Sequence, residues 1–341
     1  MDFAHSDEQL ALRDAARDWL GDHYPVEKLV ALADDLDGPG AEPDVWQRLE
    51  QLGWIDAAGD GAVTTGVLLE ETGWALLPAP FFATVALAGP LGADTSIPTT
   101  LAWAEHGAPR LGDAIRTTAD AAGRVTGTKV LVPDLGTATH AVVTTTTGNR
   151  LVALADAQVI HRSTIDRTRR LGDLVLDRTP SETLPEVAVD AARPTMLALA
   201  AAEAVGVARK VLELSAAHVS TREQFGRVIG TYQGVSHKVA DMFVEMELAR
   251  SLAVWACWAI DAGDPSASVA AASAKSVAGP AAVLATEYAI QVHGGLGFTW
   301  DSILHRYYKR AQWLDAFEGS RGVQRAAVAA HILDHTDRGA A

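Results

Sequence analysis

Apolar positions recur at helical spacing through the first eighty residues. Leu10, Leu12, Ala15, Ala16 and Leu20 follow Ser6, Glu8 and Gln9, which together read as a helix start. Trp46, Leu49, Leu52 and Trp54 form a second amphipathic segment. Leu68, Leu69, Thr72, Ala75 and Leu76 form a third, and Gly38-Pro39-Gly40 breaks the first two apart. Between residues 92 and 190 the texture changes. The stretches 125–133 and 140–145 are β-branched runs bounded by Gly, Pro and Asp, and 151–154 and 174–176 read as further strands with hairpin-like spacing. From Ala191 the helical period returns over 194–218, 233–262, 266–293 and 320–335. Pro194 is expected in the first turn of its helix. Residues 336–341 read as a frayed tail. The pattern predicts an α+β multi-domain fold: an N-terminal helical domain over 1–90, a middle β-domain over 91–190 and a C-terminal four-helix bundle over 191–341.

Composition narrows this picture. A chain of 341 residues can build two or three packed units with a sizeable core. The net charge of −15 argues against nucleic acid or an anionic membrane as partner, because both require a basic face. It leaves room for a local basic pocket. The single cysteine, Cys257, lies in an apolar run and reads as a buried, inert thiol. One cysteine excludes an intrachain disulfide framework and a thiolate zinc site. The opening MDFAHSDEQL has neither a basic nor an apolar leader segment. Glu203, Arg209, Lys275 and Glu287 interrupt the longest apolar stretches, so no membrane span is expected. A cytoplasmic enzyme or enzyme subunit is the resulting expectation. His5, His293 and His305 lack metal-ligand spacing, and no metal site is expected. The phosphate-cradling loop, the dinucleotide fingerprint and paired Glu-x-x-His units are all missing from the sequence. Trp255, Trp258, Trp300 and Trp313 read as core or interface aromatics.

Two C-terminal segments carry a more specific signal. The first runs from Ser220 through Arg222, Phe225-Gly226-Arg227 and Gln233, followed by His237, Ala240, Asp241 and Met242. The second is Gln291-Val292-His293-Gly294-Gly295-Leu296-Gly297-Phe298-Thr299, with Phe317-Glu318-Gly319-Ser320 after a basic stretch. In order and spacing these resemble the acyl-CoA dehydrogenase family. Asp2-Phe3 opening a helix, Leu52-Gly53-Trp54, and Glu70-Glu71-Thr72-Gly73 leading to Leu77-Pro78-Ala79-Pro80 are similar landmarks near the other end.

The resemblance implies an FAD-dependent dehydrogenation of an acyl-CoA thioester: a base takes the α proton while hydride leaves the β carbon for the flavin. By position Glu318 matches the base, a role suited to a carboxylate in a dry pocket. Gly319 would let backbone and substrate approach closely. Read from the residues alone, Glu318 is equally a first-turn residue of the helix over 320–335. Some relatives place the base just before an Arg-Pro-like pair. Here that position is Ala192, before Arg193-Pro194, so this chain does not use it, and Arg193 would lie near the substrate. Arg222 matches a flavin pyrophosphate ligand acting across a subunit boundary, with Phe225 on the adenine side. Gln291, Gly294 and Gly295 would meet the same region.

The middle of the chain departs from the family. Its Thr-Glu-Pro-type stretch is represented by Leu101–Ala108, where only Glu105 and Gly107 remain. Its Trp-Ile-Thr strand is replaced by Leu131-Val132-Pro133. A flavin seat lacking these residues, with the boundary-crossing residues retained, resembles one subunit of the actinobacterial heterotetrameric dehydrogenases of steroid breakdown. That resemblance implies a longer, homologous partner chain and an electron-transfer flavoprotein as acceptor. Two readings stay open: a catalytic subunit with Glu318 as base, or a flavin-site-completing subunit with the base on the partner. A steroid-CoA and a simple fatty acyl-CoA are both open as substrate.

Overall fold

The computed structural model describes residues 4–336, with side chains through Leu333. Asp2 and Phe3, expected to open the first helix, and residues 337–341 of the expected tail lie outside it. Ten α-helices are described: α1 (Asp7–His23), α2 (Val26–Asp34), α3 (Val45–Gln51), α4 (Trp54–Gly59), α5 (Ala62–Ala75), α6 (Val189–Thr221), α7 (Gln233–Asp261), α8 (Ala267–His293), α9 (Leu304–Ala316) and α10 (Arg321–Thr336). Ser6 starts α1 as expected, in a capping box: its Oγ accepts from the Gln9 N–H, and Gln9 Oε1 accepts from the Ser6 N–H. Gly53, at φ 73°, ends α3 and opens α4. The single amphipathic segment expected over 46–54 is therefore split between two short helices.

The chain divides into two compact units that cut across its linear order. One holds the stretch through Glu27, residues 62–77 and the chain from Leu197 onward; the other holds 28–61 and 78–196. The expected boundaries near 90 and 190 follow changes of texture along the chain, whereas the units follow packing. In the first unit α5 packs on α1 and α7, and α8 packs on α7, α9 and α10. A run of buried alanines from Ala270 to Ala289 lets α8 approach its neighbours closely. A Cβ on Gly206 in α6 would lie 1.9 Å from the Glu70 carbonyl oxygen, and one on Gly73 would lie 2.3 Å from that of Glu203. The α5–α6 crossing is thus backbone on backbone. Glu70 and Glu71 of this crossing pair with Arg209 at 2.6 and 2.7 Å; Arg17 adds a bond to Glu71 at 3.0 Å and Arg250 one to Glu70 at 2.5 Å.

The second unit contains α2 to α4 and two four-stranded sheets. Their strands are β1 (Thr99–Ala102), β2 (Thr118–Ala119), β3 (Arg124–Pro133), β4 (His140–Thr145), β5 (Gly148–Ala153), β6 (Gln158–His161), β7 (Leu171–Pro180) and β8 (Glu182–Thr183). The sheet orders are β1-β4-β5-β8 and β2-β3-β7-β6, antiparallel throughout except for the parallel β1–β4 pair. Val125, Val132, Ala141, Val143, Val152, Leu174 and Leu176 form the core of this region.

The expected place of Pro194 is corrected. Pro194 lies inside α6, which begins at Val189. The helix tolerates it because only the bond to the Asp190 carbonyl is forfeited so near the start. The segment Ala267–Phe298 is long and apolar enough to span a membrane, despite Lys275 and Glu287, but 67% of its apolar window is buried inside the protein. Cys257 is buried and free, and burial together with Asp261 pushes its thiol up to about 12. It is the inert core thiol expected.

Candidate active site

Glu318 stands at the corner between α9 and α10. The Phe317 N–H donates to the Trp313 carbonyl at 3.0 Å and the two rings stack, which fixes the last turn of α9. Then Glu318 and Gly319 adopt φ of 58° and 93°, two successive left-handed residues. Glycine is suited to the second position, where any Cβ would also press on Val323 at 3.2 Å. Glutamate at the first costs roughly 1 kcal/mol or more, and residues in such conformations cluster at active sites. The surrounding structure enforces the corner. The Gly319 N–H donates to the Ala316 carbonyl at 3.1 Å, and Gln324 reaches back from α10 so that its Nε2 donates to the Glu318 carbonyl at 2.8 Å. Glu318 is only 7% exposed. A buried carboxylate held on such a corner is a candidate for proton abstraction.

The second group of expected residues gathers at the far end of the same bundle. His218, near the end of α6, stacks on His293 at the end of α8 with ring centroids 4.2 Å apart. This brings the segments bearing Arg222 and Gln291 together. Burial lowers the His218 pKa, and the fields of His293 and Arg222 lower it further. Beyond α6, β9 (Glu223–Gln224) and β10 (Arg227–Val228) form a minimal hairpin. Its two turn residues, Phe225 and Gly226, both have positive φ, as a tight hairpin turn demands. Phe225 at the tip is 93% exposed and meets Tyr232 edge-on. Gln291, Gly294 and Gly295 are exposed, and a Cβ on either glycine would meet open space. The neighbouring Gly297 is closed in by its own chain: a Cβ there would lie 2.4 Å from the Ile290 carbonyl oxygen. Arginine, amide and open glycine backbone together fit a pyrophosphate ligand. Sixteen residues of α8 separate Gln291 from Lys275, which lies beside the Glu318 corner. That distance is about 24 Å of helix.

In the sheet unit, Glu105 is the preserved residue of the altered stretch, and its role is structural. It is buried with Lys129 at 2.9 Å and accepts from the Thr117 hydroxyl and from the N–H groups of Thr117 and Arg116. Burial acts to raise its carboxyl, but the bonds from Lys129, Thr117 and Arg116 outweigh it and hold the group at about 2. Glu105 thus anchors the loop that leaves β1. At the replaced strand, Leu131 has φ 54° at a register shift in β3 and is 51% exposed, while Val132 points into the core. Pro133 offers only its carbonyl, which accepts from the Thr100 hydroxyl at 2.6 Å. Arg193 pairs with Asp190 at 2.9 Å and donates to the Leu111 carbonyl, so the structure engages it with the same loop.

The chain is similar to known proteins in sequence and fold. Residues 194–333 match the family model described as the acyl-CoA dehydrogenase C-terminal domain. The chain is 30% identical over 318 residues to acyl-CoA dehydrogenase IpdE2 of Mycobacterium tuberculosis, covering 89% of this chain and 91% of that one. Among solved structures it is similar to a variant of the Tcur3481-Tcur3483 steroid ACAD, at 27% identity and TM-score 0.86, over 97% of this chain and 99% of that one. It shares its fold with a chain of the ChsE4-ChsE5 complex of Mycobacterium tuberculosis, at 23% identity and TM-score 0.83, over 98% and 99%. The class is that of the oxidoreductases acting on acyl-CoA thioesters. This chain belongs to the acyl-CoA dehydrogenase family.

Proposed function

We propose that this chain is a catalytic subunit of a two-subunit, FAD-dependent acyl-CoA dehydrogenase, with Glu318 as the base. The observation that carries the proposal is the Glu318 corner: a buried carboxylate held in a left-handed conformation by hydrogen bonds from both flanking helices. The bound flavin supplies a hydride acceptor. Glu318 removes the α proton of the thioester, and its own backbone N–H would donate to the developing enolate oxygen. Gly319 keeps the backbone accessible there.

The proposed partner rests on the family resemblance and on the steroid ACAD neighbour. Gln291 lies about 24 Å along α8 from Lys275, which neighbours the corner, and by the family resemblance Arg222, Phe225, Gln291, Gly294 and Gly295 would serve the flavin of another subunit. A homologous dehydrogenase subunit is the proposed occupant of that boundary, an electron-transfer flavoprotein the acceptor and the cytoplasm the setting. Similarity to a protein described as a steroid ACAD favours a steroid-CoA over a simple fatty acyl-CoA. One observation favours the second reading, a site-completing subunit with the base on its partner. The sheet unit has Ala104 and Leu131-Val132-Pro133 where the family has hydroxyl and aromatic flavin contacts.

Two measurements test these readings. Purified alone, the chain is expected to show no flavin absorbance, and co-expressed with its partner to show flavin bleached by a steroid-CoA thioester. A substrate-bleachable flavin in the lone chain overturns the partner-dependent reading. In the complex, Glu318→Gln is expected to lower kcat by about 100-fold to 10,000-fold, the usual contribution of a positioned base. Unchanged turnover would move the base to the partner.

A further inference from the structure

Lys275 is the one buried side chain of α8 that the sequence reads only as an interruption of an apolar run. It is 2% exposed, and its ammonium donates to the Asp315 carbonyl at 3.0 Å. That carbonyl belongs to the last turn of α9, where four carbonyls lack partners within the helix. One turn further along α8, Gly279 lies against the same residue: a Cβ there would be 2.9 Å from the Asp315 Cα and 2.6 Å from its Oδ1. Lys275 and Gly279 therefore grip the end of α9 just ahead of Glu318. The Asp315 and Glu318 carboxylates are the two ionisable groups whose fields act on Lys275, and Gln324 faces the corner from α10 as a neutral amide.

We propose that Lys275 is a positioning residue for Glu318: it anchors the end of α9 so that the left-handed corner forms, and its cationic field keeps the Glu318 carboxylate ionised and ready to accept a proton. This rests on the reading of Glu318 as the base. An uncompensated carboxylate in so dry a place would take up a proton and lose its basic form. Burial lowers the Lys275 pKa to about 8, against the opposing fields of Asp315 and Glu318. The ammonium form therefore prevails near neutral pH, and the electrostatic support is present where the reaction runs.

Two variants separate anchoring from charge. Lys275→Gln keeps a donor for the Asp315 carbonyl without the charge, and Lys275→Met removes both. The full-length chain, labelled with carboxyl-¹³C glutamate, is titrated by NMR, with the Glu318 signal identified by its loss in Glu318→Gln. The Glu318 titration is expected to rise by about one pH unit or more in both variants, a tenfold shift in its ionisation equilibrium. Conformational change at the Glu318 amide is expected in Lys275→Met and absent in Lys275→Gln. A Glu318 titration unmoved in the Gln variant, with its circular dichroism native, overturns the proposal even if the Met variant does not fold. The outcome is independent of turnover. Activity surviving in Glu318→Gln overturns the base assignment, and with it the catalytic meaning of Lys275, while leaving the titration result intact.

Discussion

At the scale of single residues, this chain puts charge where burial makes it expensive and then compensates it locally. Glu105 and Lys129 are the clearest case outside the candidate base. Glu105 has a folded-state pKa depressed to about 2, so it contributes stability above its ordinary value of 4.5 and loses it as pH falls from there toward 2. A urea-denaturation series in Glu105→Gln is expected to show destabilisation at neutral pH by about 3 to 5 kcal/mol, because Lys129 is left buried without its counter-charge. Part of the acid sensitivity between pH 5 and pH 2 should disappear in that variant. An unaltered acid limb would assign the effect elsewhere. The sequence marks Glu105 as a surviving fragment of a family motif. Only its four donors explain why the glutamate is kept while its neighbours change.

At the scale of elements, periodicity located most helices, and it failed where the buried face is itself polar. The long helices α7 and α8 match the expected 233–262 and 266–293 to within a residue, because their alanine-rich faces sustain the helical period over many turns. By contrast α9 reads in the sequence only as a basic stretch. Its buried positions are Leu304, Arg306, Tyr307, Arg310, Ala311 and Leu314, a helical stripe with two arginines in it. Arg310 is buried against Glu203 of α6 at 2.7 Å, so a charge occupies a core position through a partner 107 residues away. The α5–α6 crossing gives a second element-scale prediction. Gly206→Ala places a methyl on the Glu70 backbone, and a thermal melt is expected to show a loss of about 1 to 3 kcal/mol or failure to accumulate as folded protein. Gly295→Ala, which meets open space in the chain, should leave the same melt within about 0.5 kcal/mol.

At the scale of the molecule, the hairpin tip stands out because Phe225 is 93% exposed. Phe225→Ser is expected to leave the melting temperature of the lone chain unchanged while weakening flavin retention of the co-expressed complex. Gel filtration followed by flavin absorbance reads both, and retention equal to wild type would remove Phe225 from the cofactor boundary. The sequence by itself determined the α+β order, the long helices, the acyl-CoA dehydrogenase resemblance and the residues proposed for both clusters. These are local patterns: hydrophobic period, turn residues and motif spacing are all written along the chain. Tertiary structure alone decided that α1 and α5 join the bundle while α2 to α4 join the sheets. It also decided that Glu318 sits in a left-handed corner beside Lys275, and that this corner lies far along α8 from Gln291. Those facts depend on which distant segments bury against one another, and burial against a distant partner leaves no period in the sequence.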